Sequence, residues 1–146
     1  MNENAKKWVA ALRSQKFRQG RGKLRTPSGY CCLGVACELF HKEYPDLERF
    51  YDRESRWYEY GGREDFLPLS VQQWLGLKDE KGTFSRLSIN DTSHNLASLN
   101  DGGTPFHEIA DFIELNEYRL FVEPPTEREV EEEEEEVDEL LIAILA

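Results

Sequence analysis

The sequence is short of the residues that usually announce chemistry. It holds three histidines, three cysteines and one methionine among 146 residues. Cys31, Cys32 and Cys37 fall within seven residues. An odd count at that spacing argues against the disulfide framework of a small secreted domain, and adjacent cysteines bridge each other only with strain. The chain holds no Cys-x-x-Cys knuckle, so no closed zinc site is specified. No apolar run approaches the roughly 20 residues needed to cross a bilayer. Met1–Glu3 leads into a polar, basic stretch rather than the apolar core of a leader. The expectation is a cytoplasmic protein without a membrane anchor, a resident metal or a cofactor.

Charge is present in quantity and is segregated. The first thirty residues carry eight Lys or Arg and one acid, whereas Glu123–Glu139 carries eleven carboxylates and one Arg. Such polarity can place two electrostatic surfaces on one small protein. Without the acidic segment the remainder is nearly neutral, so the low pI belongs to the tail more than to the body.

The pattern predicts one small α+β domain over 1–122, with short hairpins and about four helices, and an acidic tail over 123–146 that ends in an amphipathic helix. Ala5, Trp8, Val9 and Leu12 recur at helical spacing behind Asn2 or Asn4 as N-cap. Lys23–Thr26 and Tyr30–Cys32 read as a hairpin around Pro27-Ser28-Gly29. Leu33–Glu43 reads as a largely buried helix. The aromatic segment Arg49–Tyr60 reads as a second hairpin or two edge strands. Leu69–Leu75 reads as a short helix packed through Val71, Trp74 and Leu75 and closed by Gly76, and Phe84–Ile89 as a further strand. Asn95–Leu99 reads as a helical turn, and Asn100-Asp101-Gly102-Gly103 as the turn that follows. Thr104 is expected to cap the last helix of the body, with Pro105 in its first position and Phe106, Ile109, Ala110 and Ile113 facing inward. In the tail, Val130, Val137, Leu140 and Ile144 form a heptad-like seam beside Leu141.

Several constellations invite a chemical reading, each beside a plainer one. Cys31 or Cys32 stands at a helix start, where the dipole can stabilise a thiolate, and His107 could approach as a base. The plainer reading makes these cysteines small core residues. Cys37 and His41 share a helical face at i, i+4 and, with Cys31 and Cys32, outline a metal set that adjacency disfavours. The basic run Arg13, Lys16, Arg18, Arg21, Lys23 and Arg25, broken by Gly20 and Gly22, can wrap a phosphate or hold acidic neighbours. It matches neither Walker nor dinucleotide spacing. Arg21 and Arg25 with Asn100 and Asp101 are the candidate ligand-binding set. Phe50, Tyr51, Trp57, Tyr58 and Tyr60 could stack a base or form an interface, although Asp52, Glu54 and Glu59 disfavour nucleic acid.

Gly20-Arg21-Gly22-x-Leu24-Arg25 and Tyr30-Cys31-Cys32-Leu33-Gly34-Val35-x-Cys37-Glu38-Leu39 together form a fingerprint. So do Leu67-Pro68 with Val71-x-x-Trp74-Leu75-Gly76, and Leu96-Ala97-x-Leu99-Asn100-Asp101-x-Gly103-x-x-Phe106-x-x-Ile109-Ala110-Asp111-x-Ile113-Glu114. Over about residues 8–116 the chain resembles a family of small, uncharacterised phage and bacterial proteins. The resemblance implies a viral or mobile-element origin and no established reaction. The acidic tail lies outside the shared pattern.

The favoured expectation is a non-enzymatic phage accessory protein that binds and inhibits a host factor. Counter-defence of the anti-CRISPR type, or nucleic-acid mimicry, would suit it. Glu131, Glu132, Glu133, Glu134, Glu135 and Glu136 would enter a basic channel as phosphate mimics. Leu140, Leu141 and Ile144 would meet that partner or a second copy of the chain as a homodimer. The partner would be a host protein or protein–nucleic-acid complex, in the host cytoplasm. The alternatives are a sponge for a signalling nucleotide and a cysteine hydrolase.

Overall fold

The computed structural model describes residues 1–85 and 94–123. In chain order these form α1 (Glu3–Arg13), β1 (Arg25–Thr26), β2 (Gly29–Tyr30), α2 (Cys32–Glu43), β3 (Arg49–Tyr51), β4 (Tyr58–Tyr60), α3 (Leu69–Leu75), α4 (Leu96–Asp101), α5 (Phe106–Leu115) and α6 (Glu117–Leu120). Four of the helices, α1, α2, α3 and α5, run seven residues or more. The strands make two separate antiparallel pairs, β1 with β2 and β3 with β4. The architecture is α+β, as the patterning predicts.

α1 forms where the sequence places its stripe. Ala5, Trp8, Val9 and Leu12 are its buried residues. The Asn2 side chain accepts from the Ala5 N–H at 2.8 Å, satisfying one of the orphan donors of the first turn. The Asn2 and Asn4 side-chain amides both donate to the Trp74 carbonyl at 3.1 Å, which ties the start of α1 to the end of α3. Gly76 closes α3 in the left-handed region at φ 77°.

α2 is the axis of the body. Every residue from Cys32 to Glu38 is buried, because α1, α3, α4 and β2 pack around it. Burying each of Leu33 and Val35 there contributes roughly 1.5–3 kcal/mol. A Cβ at Gly34 would overlap the Leu24 carbonyl oxygen, so only glycine lets the segment before β1 cross the helix this closely. The Trp8 indole spans from α1 and donates to the Cys32 carbonyl at 2.8 Å. Arg18–Gly20 then joins the first hairpin: Tyr30 N–H donates to Arg18 O at 2.8 Å and Gly20 N–H to Tyr30 O at 2.6 Å.

Local reading erred in three places. The Asn100–Gly103 segment is not a free turn, because α4 continues through Asp101. Thr104 does not cap α5; Pro105 holds the N-cap position with no side-chain hydrogen bond. Phe84 and Ser85 are not in a strand. Phe84 instead packs its ring against Phe112, centroids 4.6 Å apart, and the rest of the Phe84–Ile89 expectation lies outside the described residues. So do Glu131–Glu136, Leu140, Leu141 and Ile144. Among the described residues no helix is long and apolar enough to cross a membrane.

Candidate functional site

The cysteines are placed by α2 and sealed by it. Cys31 is the N-cap, and its Sγ accepts from the Gly34 N–H at 3.3 Å. That hydrogen bond and one from Leu33 favour a thiolate, but burial outweighs them and pushes the Cys31 thiol up to about 12. Burial also raises Cys32 and Cys37 well above an ordinary thiol. All three are buried and free. Cys32 Sγ points at the Leu96 carbonyl, 3.5 Å away. His107 is exposed on the first turn of α5, and no hydrogen bond joins it to a cysteine. These thiols therefore lack the exposure and the base that a nucleophile needs. The outlined metal set is equally dispersed, since His41 Nδ1 lies 2.9 Å from the Leu47 carbonyl. Among the described residues no three His, Cys, Asp or Glu side chains stand together as metal ligands.

Asn100, read from sequence as a ligand residue, is fully buried. Its Oδ1 accepts from the Gln19 side chain at 2.9 Å and from the Cys32 N–H at 3.2 Å. Its Nδ2 donates to the Gly20 carbonyl at 2.8 Å and to Asp101 Oδ1 at 3.3 Å. Every hydrogen-bonding position of this amide is occupied by protein. Asp101 also accepts from the Gly22 N–H at 2.9 Å, and Gln19 donates to the Thr104 carbonyl at 2.8 Å. Arg21 lies against Gly103, where a Cβ would sit 3.1 Å from its guanidinium. Asn100 and Asp101 thus fasten the glycine-bearing loop to the end of α4.

Half of the basic run, Arg13, Lys23 and Arg25, is taken up by internal partners. Arg13 pairs with Asp111 at 2.6 Å and with Glu114. Lys23 pairs with Asp65 at 2.9 Å and lies 4.6 Å over the Trp57 ring. Arg25 is stacked between Tyr30 and Tyr58, 4.6 and 4.0 Å from the ring centroids, and reaches Glu38 at 3.8 Å. Arg25 therefore belongs to a different cluster from Arg21, Asn100 and Asp101, and the four converge on no shared opening. Glu38 accepts from Arg49 at 2.7 Å and from the Tyr60 hydroxyl at 2.8 Å. Burial opposes its ionisation, but Tyr60, Arg49 and Arg25 prevail and hold the carboxyl below the usual carboxylate range. Tyr60 moves the other way, because burial and the Glu38 charge both disfavour the phenolate.

Among the described residues, a groove of ≈ 560 Å³ opens between α1, the chain after it and α2. Lys7, Lys16 and Lys42 stand around it; Phe17, Tyr30 and Leu39 form its apolar wall. Phe17 meets Tyr30 edge to face at 5.3 Å, and Lys42 Nζ lies 5.9 Å over the Phe17 ring. None of the three lysines forms an ion pair among the described residues. Glu38 reaches the groove but is already matched by two arginines. Lys7 and Phe17 carry no motif, and Lys42 reads from sequence as a solvated position opposite the buried arc. Their grouping depends on the α1–α2 packing.

The body is thus an α+β scaffold whose polar network is turned inward and whose cationic groove faces solvent. The chain belongs to the family described as Domain of unknown function (DUF8296), which matches residues 1–117. No curated protein matches it, and no solved structure does.

Proposed function

We propose that this chain is a non-enzymatic accessory protein of phage origin that binds a host factor and blocks it. One observation carries the reading: β3 is exposed along its whole length. It presents Phe50 and Tyr51, 53% and 41% exposed. Among the described residues β3 pairs on one edge only. Exposed aromatics beside an unpaired strand edge suit a protein partner, through hot-spot contacts and backbone pairing. The three cysteines, meanwhile, are sealed in the core. The composition of the tail adds a second handle, since eleven carboxylates within Glu123–Glu139 favour a partner with a basic channel. Such a partner would handle nucleic acid in the host cytoplasm.

Affinity capture with the full chain from host lysate, followed by assay of the captured complex, tests this. The expected result is salt-sensitive capture of a nucleic-acid-processing complex whose activity is inhibited. Phe50→Ala with Tyr51→Ala should weaken capture without unfolding the body. Capture of a complex that stays fully active, or capture indifferent to both the aromatics and salt, would sink the proposal. The nucleotide reading draws no support from Arg25, Asn100 and Asp101, whose polar atoms are engaged within the scaffold, while Arg21, exposed beside Gly103, lies in a different cluster from Arg25. The cysteine-hydrolase reading draws none from three buried thiols.

A further inference from the structure

We infer that the groove between α1 and α2 is a nucleotide site, with Lys7, Lys16 and Lys42 receiving a di- or triphosphate and Phe17 and Tyr30 forming the wall for the base. The inference stands apart from the host-factor reading and uses none of its residues.

Three arguments converge. The first is charge. Three ammonium groups from separate segments border one concavity, and none is neutralised by a carboxylate among the described residues. Other cations of the basic run, Arg13, Lys23 and Arg25, have partners of their own. The one carboxylate that reaches the groove, Glu38, is held by Arg25 and Arg49. Among the described residues the charge around the groove is therefore positive, although the whole chain is formally at -11. A cleft of one sign concentrates the opposite ion. Lysines deliver point charges, which suits the several oxygens of a polyphosphate better than the planar geometry of one carboxylate.

The second is shape. The groove measures ≈ 560 Å³, within the range of roughly 300–1,000 Å³ that small-molecule sites occupy. That exceeds what an isolated inorganic phosphate needs and suits a ligand with a body as well as a charged end. The third is the wall. Phe17 and Tyr30 are half-buried and locked edge to face, so their rings are pre-ordered. Arg25 holds Tyr30 from within the fold, 4.6 Å from its centroid. Stacking a base on such an aromatic surface is worth about 1–3 kcal/mol, and little ordering is left to oppose it.

Calorimetric titration of the full chain with ADP, inorganic pyrophosphate and adenosine, each alone, tests the assignment. ADP should bind, pyrophosphate more weakly, and adenosine most weakly. Lys7→Ala, Lys16→Ala and Lys42→Ala should each lower ADP affinity by about tenfold, with melting temperatures close to wild type because all three side chains are exposed. Lys6→Ala is the matched control: it removes the same charge from the same helix, at a side chain that pairs with Glu3 instead. ADP affinity should not respond to it. Absence of ADP binding up to millimolar concentration overturns the inference. So does an equal loss from Lys6→Ala and Lys7→Ala, which would reduce the effect to diffuse charge. Pyrophosphate binding as tightly as ADP would remove the base from the assignment.

Discussion

The Asn100 side-chain amide donates to the Gly20 carbonyl at 2.8 Å, across eighty residues of chain. One buried amide thereby joins the glycine-bearing loop, the first N–H of α2 and the end of α4. Replacing it with alanine leaves the Gly20 carbonyl and the Cys32 N–H without partners in a dry interior. Asn100→Ala should cost about 3 kcal/mol, since orphaned buried groups lose their full solvation. Asp101→Ala, at an exposed position that keeps one hydrogen bond to the loop, should cost about 1 kcal/mol. Urea unfolding of the two variants checks the ranking, and equal losses would contradict it.

Gly34 and Gly22 make a second contrast. A methyl group at Gly34 strikes the Leu24 carbonyl, backbone against backbone, with no flexible atom to yield. Gly34→Ala should destabilise by at least about 3 kcal/mol. At Gly22 nothing lies within 4 Å of the added atom, and the only penalty is a φ of +86°. Gly22→Ala should cost about 1 kcal/mol. Thermal melts that place both variants together would show that the chain crossing can open.

The difference between these positions marks what a sequence can disclose. The α1 stripe, the α2 arc and the Gly76 terminator were legible because each depends on spacing within a few residues. Asn100 was not. Asn-Asp-Gly-Gly carries strong local turn chemistry, and the burial that overrides it comes from Gln19 and Gly20, far away in sequence. Arg25 likewise reads as one cation in a run, while its role depends on stacking between Tyr30 and Tyr58. The groove draws on Lys7, Lys16, Phe17 and Lys42, which share no motif and meet only because α1 packs on α2.

Glu38 makes stability depend on acid. In the folded protein its carboxyl is held below the usual carboxylate range. A lowered folded value means that the unfolded chain takes up the proton first. The contribution is therefore complete above about pH 4.5 and is lost as pH falls through the folded value. Glu38→Gln should flatten the limb of the stability–pH curve that falls as pH drops below the ordinary carboxylate range. At neutral pH it should cost about 2 kcal/mol, less than a sealed pair would, because Arg25 and Arg49 reach solvent. A wild-type curve with the same slope as the variant across that interval would remove Glu38 from the account.

Thiol reactivity gives the sharpest separation between binding and hydrolysis. Cys31 combines an N-cap position with complete burial, and burial prevails, raising the thiol to about 12. Iodoacetamide needs both thiolate and access, so native protein at pH 7 should be alkylated slowly at all three positions. The same protein in denaturant should react at three sites at the rate of free cysteine. Cys31→Ser should leave any host-factor capture intact, since Sγ meets no solvent-facing group. The hydroxyl can still accept from Gly34, so the loss of stability should stay near 1 kcal/mol. Rapid labelling of one native cysteine at pH 6 would restore the nucleophile reading. It would require an opening of the α2 start that exposes Cys31 while the rest of the body holds.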